Sequence, residues 1–138
     1  ADKGRNSISD LIKDFCNKSS NYIYFRSLGS IKYLSCLKYI NAVIGNSSSG
    51  IIEAPSFNIP TVNIGNRQKG RILANSIINS SLNSNEIKQS IILAFSETFK
   101  KSIANTKNPY GNGNSASKII KILKNINLNK NTQKTITY

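Results

Sequence analysis

Ala42-Val43-Ile44-Gly45-Asn46-Ser47-Ser48-Ser49-Gly50-Ile51-Ile52-Glu53-Ala54 passes from three apolar residues, through a loop of Gly, Asn and Ser, into a second apolar stretch. The opening triplet reads as a brief buried strand. The stretch after Gly50 reads as a helix that Pro55 weakens or ends, because proline lacks the N–H a helix interior needs. A strand emptying through such a loop into a helix is the first part of a βα unit. Downstream, Pro60-Thr61-Val62-Asn63-Ile64 is the next strand, and Asn75 to Asn79, which suits either strand or helix, is read as a strand. Asn85 to Phe99 carries Ile87, Ile91, Ile92 and Phe95 at helical spacing, with that face inward.

Working toward the ends, Asn108-Pro109-Tyr110-Gly111-Asn112-Gly113-Asn114 is dense in turn formers and reads as loop. Ser115 or Ser117 then opens a last helix with Ile119, Ile120, Ile122 and Leu123 on its apolar side, and its lysines form the wet face. Upstream, Ile8, Leu11, Ile12 and Phe15 fall at i, i+3, i+4 and i+7, one stripe of an amphipathic helix that packs. Tyr22-Ile23-Tyr24-Phe25 is rich in aromatic and β-branched residues and reads as a strand. Ser30 caps a second helix bearing Ile31, Leu34, Leu37 and Ile40. Helices alternate with short apolar strands, which predicts an α/β fold, a Rossmann-like parallel sheet flanked by helices. One domain is expected over 1–126, and 127–138 has little to bury and is expected to fray.

Composition sets the outer bounds. The 138 residues, 38% of them apolar, suit one domain with a core of ordinary size. The net charge is +13, from nineteen Lys and Arg against six Asp and Glu. Such a balance suits polyanionic partners, so a basic nucleic-acid or polyanion-binding module is the alternative reading. Against it, only Arg5, Arg26, Arg67 and Arg71 carry the planar fork that grips phosphate and guanine bidentately. No stretch is long and apolar enough to span a bilayer, and Ala1 to Arg5 lacks the apolar run of a secretory leader, so a cytoplasmic chain without a membrane partner is expected. Cys16 and Cys36 are expected buried and reduced. With no His in the sequence, neither a zinc site nor a Cys-His pair is expected, and no cofactor is called for.

Chemistry concentrates between Gly45 and Arg71. The start of a helix after a Gly- and Ser-rich loop gathers free backbone N–H groups and a positive dipole end, which attract phosphate. Ser47, Ser48 and Ser49 add hydroxyl donors, while Gly45 and Gly50 let the backbone come near a bulky anion. The stretch is not a P-loop, since the position that would need Lys is Ile51. A plain capped helix start explains the loop equally well. Glu53 tilts the balance, because a carboxylate one turn into the helix can accept two sugar hydroxyls. A capping box is disfavoured, because position 50 is Gly and not Ser or Thr, while compensation of the helix dipole stays open as the structural alternative. Arg67, in Gly65-Asn66-Arg67-Gln68-Lys69-Gly70-Arg71, follows the next strand and emerges on the same carboxyl edge, where three cations in five residues suit a diphosphate.

Asn41 to Phe57, followed by Ile59 to Arg71, resembles the C-terminal domain of the UDP-N-acetylglucosamine 2-epimerases, and most of all the hydrolysing branch that supplies sialic-acid-type sugars. The resemblance extends more loosely from Ala1 to the final helix. It implies a GT-B arrangement of two Rossmann-like domains, with UDP or a UDP-N-acetylhexosamine held mainly by the C-terminal one. It also implies that Ser47 and Ser48 hold the diphosphate, with Gly50 in the same loop, that Glu53 takes the ribose hydroxyls and that Arg67 approaches the phosphates. The backbone at Ser27-Leu28 is implied to lie against uracil. The implied reaction is loss of UDP to a glycal-type intermediate and then addition of water, giving N-acetylmannosamine and UDP. The family's catalytic carboxylates and His have no counterpart here, so no catalytic residue is assigned. The chain is expected to be most of a C-terminal domain, incomplete at its N-terminus and inactive without the N-terminal domain. Full-length members are expected to be homo-oligomers. The loop from Asn66 to Arg71 has the hydrolysing style, and a fragment of a non-hydrolysing epimerase is the alternative within the family.

Overall fold

The computed structural model of the protein describes residues 5–126, so the tail expected over 127–138 lies outside the described residues. Contacts gather into two compact units, Ala1–Tyr39 and Ile40–Tyr138. The first holds helices α1 (Arg5–Cys16) and α2 (Gly29–Cys36). The second runs β1 (Val43–Gly45), α3 (Ser48–Ile52), a 3₁₀ turn (Ala54–Phe57), β2 (Thr61–Ile64), β3 (Ile77–Ser80), α4 (Ser84–Phe95), α5 (Glu97–Ile103) and α6 (Ser115–Asn125).

In the first unit the helices form where the apolar spacing puts them, but their faces stay open. Ile8, Leu11, Ile12 and Phe15 are all exposed, Leu11 at 69%, which corrects the expectation of a packed stripe. Tyr22 to Phe25 forms no strand: β propensity has no ladder to join there among the described residues. Instead the Tyr22 ring tilts against Phe15 with centroids 4.7 Å apart. Nor does Ser30 cap α2. Leu28 occupies that position without a side-chain bond, and the Ser27 Oγ accepts the Gly29 N–H at 3.2 Å. Of the four apolar residues assigned to this helix, Leu37 is buried, while Ile31, Leu34 and Ile40 are exposed. Cys16 is half-buried and Cys36 exposed, so neither is the core residue expected; both are free thiols.

The second unit is built on a parallel three-stranded sheet in the order β1-β2-β3, the Rossmann-like α/β arrangement that the alternating pattern predicts. Val43 pairs with Thr61 and Thr61 with Ile77, so all three strands end at one edge, at Gly45, Ile64 and Ser80. The central strand is the most buried, with Thr61, Val62 and Asn63 all under cover. β1 is an edge strand, and Ile44, expected inside, is 48% exposed. Around the sheet, Ile51, Ala54, Val62, Ala94 and Ile103 form the core, each at 1% exposure or less. Full burial of an Ile or Val side chain such as Ile51, Val62 or Ile103 stabilises by about 1.5–3 kcal/mol.

Gly50 decides how closely α3 approaches the sheet. A Cβ there would stand 2.8 Å from the Thr61 Cγ2, and the Thr61 hydroxyl donates to the Gly50 carbonyl at 3.0 Å. The helix expected over Asn85 to Phe99 is two helices, because Ser96 turns extended (φ −68°, ψ 140°) and its Oγ caps the Phe99 N–H at 3.2 Å. Within α4, Ile92 and Phe95 are exposed and Ala94 is the buried residue, a correction to the predicted inward face. The turn-rich loop is strapped to the 3₁₀ segment: the Asn108 Nδ2 donates to the Ile52 carbonyl at 2.8 Å and to the Ser56 hydroxyl at 2.6 Å. α6 begins at Ser115 as predicted, yet Ile119, Ile120, Ile122 and Leu123 are all more than half exposed.

Candidate functional site

The site grows from the carboxyl edge of the sheet, where parallel α/β folds gather ligands. β1 closes on Gly45, whose φ of 146° is open to glycine and strained for other residues. Asn46 follows, and then Ser47 in an extended conformation (φ −73°, ψ 143°), the geometry of an N-cap. The Ser47 Oγ accepts the Ser49 N–H at 3.3 Å and lies 3.4 Å from the Ser49 hydroxyl. Ser48, half-buried, opens α3, and its hydroxyl has no hydrogen-bond partner among the described residues. Gly50 is fully enclosed and its N–H donates to the Ser47 carbonyl at 3.2 Å, so what its place demands is close packing on β2.

Glu53 sits at the junction of α3 and the 3₁₀ turn. The five-residue α3 ends one residue before it, so Glu53 is a C-cap and not a residue one turn into the helix. Its N–H donates to the Ser49 carbonyl at 2.9 Å, and its own carbonyl accepts the Ser56 N–H at 3.0 Å. The side chain is half-buried, with no hydrogen-bond or ion-pair partner among the described residues. The C-terminal end of α3 disfavours a negative charge at this position, while the start of the 3₁₀ turn, for which Glu53 is the N-cap, favours one.

The second loop folds back onto the first. Arg67 Nη1 donates to the Asn46 carbonyl at 3.1 Å, and Gln68 Nε2 donates to the same oxygen at 2.7 Å. These two bonds bridge 21 and 22 positions of sequence and bring the guanidinium to the residue just ahead of the Ser47 turn. Of the three cations in this loop, Arg67 alone makes that link among the described residues. Lys69 and Arg71 line a cleft of about 290 Å³ with Asn63, Asn66, Gln68 and Asn79. The Asn63 Nδ2 donates to the Asn79 Oδ1 at 2.8 Å, joining β2 to β3 under that cleft. Leu28, the remaining predicted residue, is half-buried at the start of α2 in the first unit.

Gln68 was not among the residues that the sequence singled out. At 5% exposure it is the buried partner of an exposed arginine. Its one legible signal was its place beside Arg67 in a loop already marked for function.

With this geometry in place, relatives of known description become informative. A profile of the family described as UDP-N-acetylglucosamine 2-epimerase matches residues 1–124. The chain is 46% identical over 130 residues to a GDP/UDP-N,N'-diacetylbacillosamine 2-epimerase (hydrolyzing) of Campylobacter jejuni, covering 93% of this chain and 33% of that protein. To the Polysialic acid biosynthesis protein P7 of Escherichia coli it is 38% identical over 131 residues, 95% of this chain and 33% of the other. A UDP-N,N'-diacetylbacillosamine 2-epimerase (hydrolyzing) of Legionella pneumophila is 30% identical over 128 residues, 93% of this chain, again with 33% of its own length covered. The chain thus spans about a third of these relatives. No helix among the described residues is long and apolar enough to cross a membrane. From the match over residues 1–124, the chain belongs to the UDP-N-acetylglucosamine 2-epimerase family.

Proposed function

We propose that this chain supplies the UDP-holding part of a hydrolysing 2-epimerase acting on UDP-N-acetylglucosamine or a related UDP-N-acetylhexosamine. The observation that carries the reading is the shared Asn46 carbonyl, which draws the Arg67 guanidinium to the turn bearing Ser47 and Ser48. In this reading the two serines face the diphosphate and the Glu53 carboxylate accepts ribose hydroxyls. Arg67 offsets the charge that grows on UDP as its bond to the sugar breaks, a preorganised electrostatic role of the kind that accelerates such departures. Acid and base groups come from the part of the relatives' length that this chain does not cover, so the chain alone binds without turning over. A GT-B partnership of two domains, in a homo-oligomer, completes the proposal. The word "hydrolyzing" in the names of two of the relatives favours that branch over simple epimerisation.

Calorimetric titration with UDP tests the site. Replacing Arg67 or Glu53 by Ala is expected to weaken binding by about 10- to 100-fold, the equivalent of one charge-assisted hydrogen bond of about 1.5–3 kcal/mol. Unchanged affinity in both variants rejects the assignment. The +13 charge motivates the competing polyanion reading, and titration with duplex DNA at rising salt addresses it. Tight binding that falls steeply with salt, without any response to UDP, would favour that alternative.

A further inference from the structure

Resting on the nucleotide reading above, we infer that Gln68 is a positioning residue, which aims the Ser47 turn and aligns Arg67 without touching the ligand itself. The Asn46 carbonyl and the Ser47 N–H belong to one planar trans peptide, so the two groups point in opposite directions. Whatever holds the carbonyl therefore aims the N–H. Gln68 Nε2 holds it at 2.7 Å from within the protein, and Arg67 Nη1 reaches it at 3.1 Å from the exposed side. The Ser47 N–H has no acceptor among the described residues.

Both lone pairs of the Asn46 oxygen are occupied by these two donors. A guanidinium has five N–H donors, and Arg67 uses one of them here. With Gln68 retaining the carbonyl, Arg67 can turn its remaining donors to phosphate, or leave Asn46 altogether, without releasing the turn. The buried amide holds the frame and the exposed cation meets the ligand.

The Gln68 bond to Asn46 is offset by a cost at the other end of the same amide. The residue is 5% exposed, and its Oε1 is buried without a hydrogen-bond partner among the described residues, a desolvation that an apolar residue of similar length would avoid. Methionine would fill the same space with neither the orphan acceptor nor the bond to Asn46. Sites that keep such a deficit are those where geometry matters more than stability.

The test combines three measurements on the full chain. Gln68→Met is expected to keep or raise the thermal midpoint while weakening UDP binding about tenfold, equivalent to about 1.4 kcal/mol. In that background Arg67→Ala is expected to weaken binding by a larger factor than it does in the parent chain, because it then also releases the Asn46 carbonyl. Gln68→Glu keeps the shape but removes the donor to Asn46, so the Ser47 amide resonance is expected to move in ligand-free NMR spectra while those of β3 stay in place. UDP affinity equal to the parent's in Gln68→Met, while Arg67→Ala loses it, overturns the positioning role and leaves the nucleotide site standing. A Met variant that no longer unfolds cooperatively, or whose midpoint falls along with its affinity, also overturns it, since Gln68 would then serve stability. A Ser47 resonance unmoved in Gln68→Glu overturns it as well. If neither Arg67→Ala nor Glu53→Ala alters UDP binding, the nucleotide reading itself fails and this inference falls with it.

Discussion

Set the sheet region from Val43 to Ser80 beside the last helix, α6. Both carry dense apolar residues at regular spacing, yet Ile51 and Val62 are fully buried while Ile119, Ile120, Ile122 and Leu123 all stand more than half exposed. The contrast is not one of hydrophobicity, since Ile51 and Ile122 are the same residue type. Ile51 belongs to a short helix brought onto β2 by a glycine, whereas nothing among the described residues covers α6. Amphipathic spacing tells which face of a helix is available for packing; a surface to pack against has to come from elsewhere.

Substitutions on the two sides of this contrast should behave differently. Ile51→Ala empties a fully enclosed position and is expected to destabilise by about 2–5 kcal/mol in urea unfolding. A cost below about 1 kcal/mol, on the order of surface substitutions, would mean that the core is not where burial places it. Gly50→Ala comes next. Its Cβ meets Thr61 Cγ2 at 2.8 Å, so α3 must lift from the sheet, with an expected loss of about 1–3 kcal/mol typical of overpacking. Neutral behaviour there would show that the contact yields freely. Ile122→Ala removes as much apolar volume as the first substitution from a position 63% exposed, and is expected to change stability by no more than about 0.5 kcal/mol. A loss resembling that of Ile51→Ala would show that this face of α6 is covered in solution.

The smallest effect concerns pH. Glu86, fully exposed in the first turn of α4, is held below the usual carboxylate range by the Ser81 hydroxyl and then by the Ser81 N–H, whose bond to Oε2 is 3.2 Å. A depressed folded value means that the ionised carboxylate stabilises the fold. The contribution is complete above the ordinary glutamate value and is lost as pH falls through the lower folded one. Stability profiles of the parent and Glu86→Gln should therefore converge in acid and separate slightly toward neutrality. Parallel profiles would remove the Ser81 contacts from any energetic role.

Much of the architecture was legible because it is local. β1 and β2 lie within the residues read as strands, or one residue past them, and β3 overlaps the third to within a residue or two. The switch from apolar triplet to Gly-Ser loop marked the turn at Ser47, whose N-cap bond links residues only two apart. Other features escaped. Tyr22 to Phe25 has the composition of a strand but no neighbouring ladder among the described residues, and the break at Ser96 depended on one serine turning from helix to cap. Cys36 looked like a core residue because burial was inferred from residue type, and α2 has no buried residue.

The order of strands and helices, the parallel sheet and the loops bearing Ser47, Glu53 and Arg67 follow from periodicity and turn chemistry over a few neighbouring residues. No such pattern announces that Gln68 reaches Asn46 across 22 positions, that Thr61 forbids a side chain at Gly50, or that α6 keeps its isoleucines in the open. Those outcomes depend on which distant segments meet once loops have closed. A residue's own neighbours in sequence fix its conformational preference, and only the assembled tertiary structure fixes what its side chain touches.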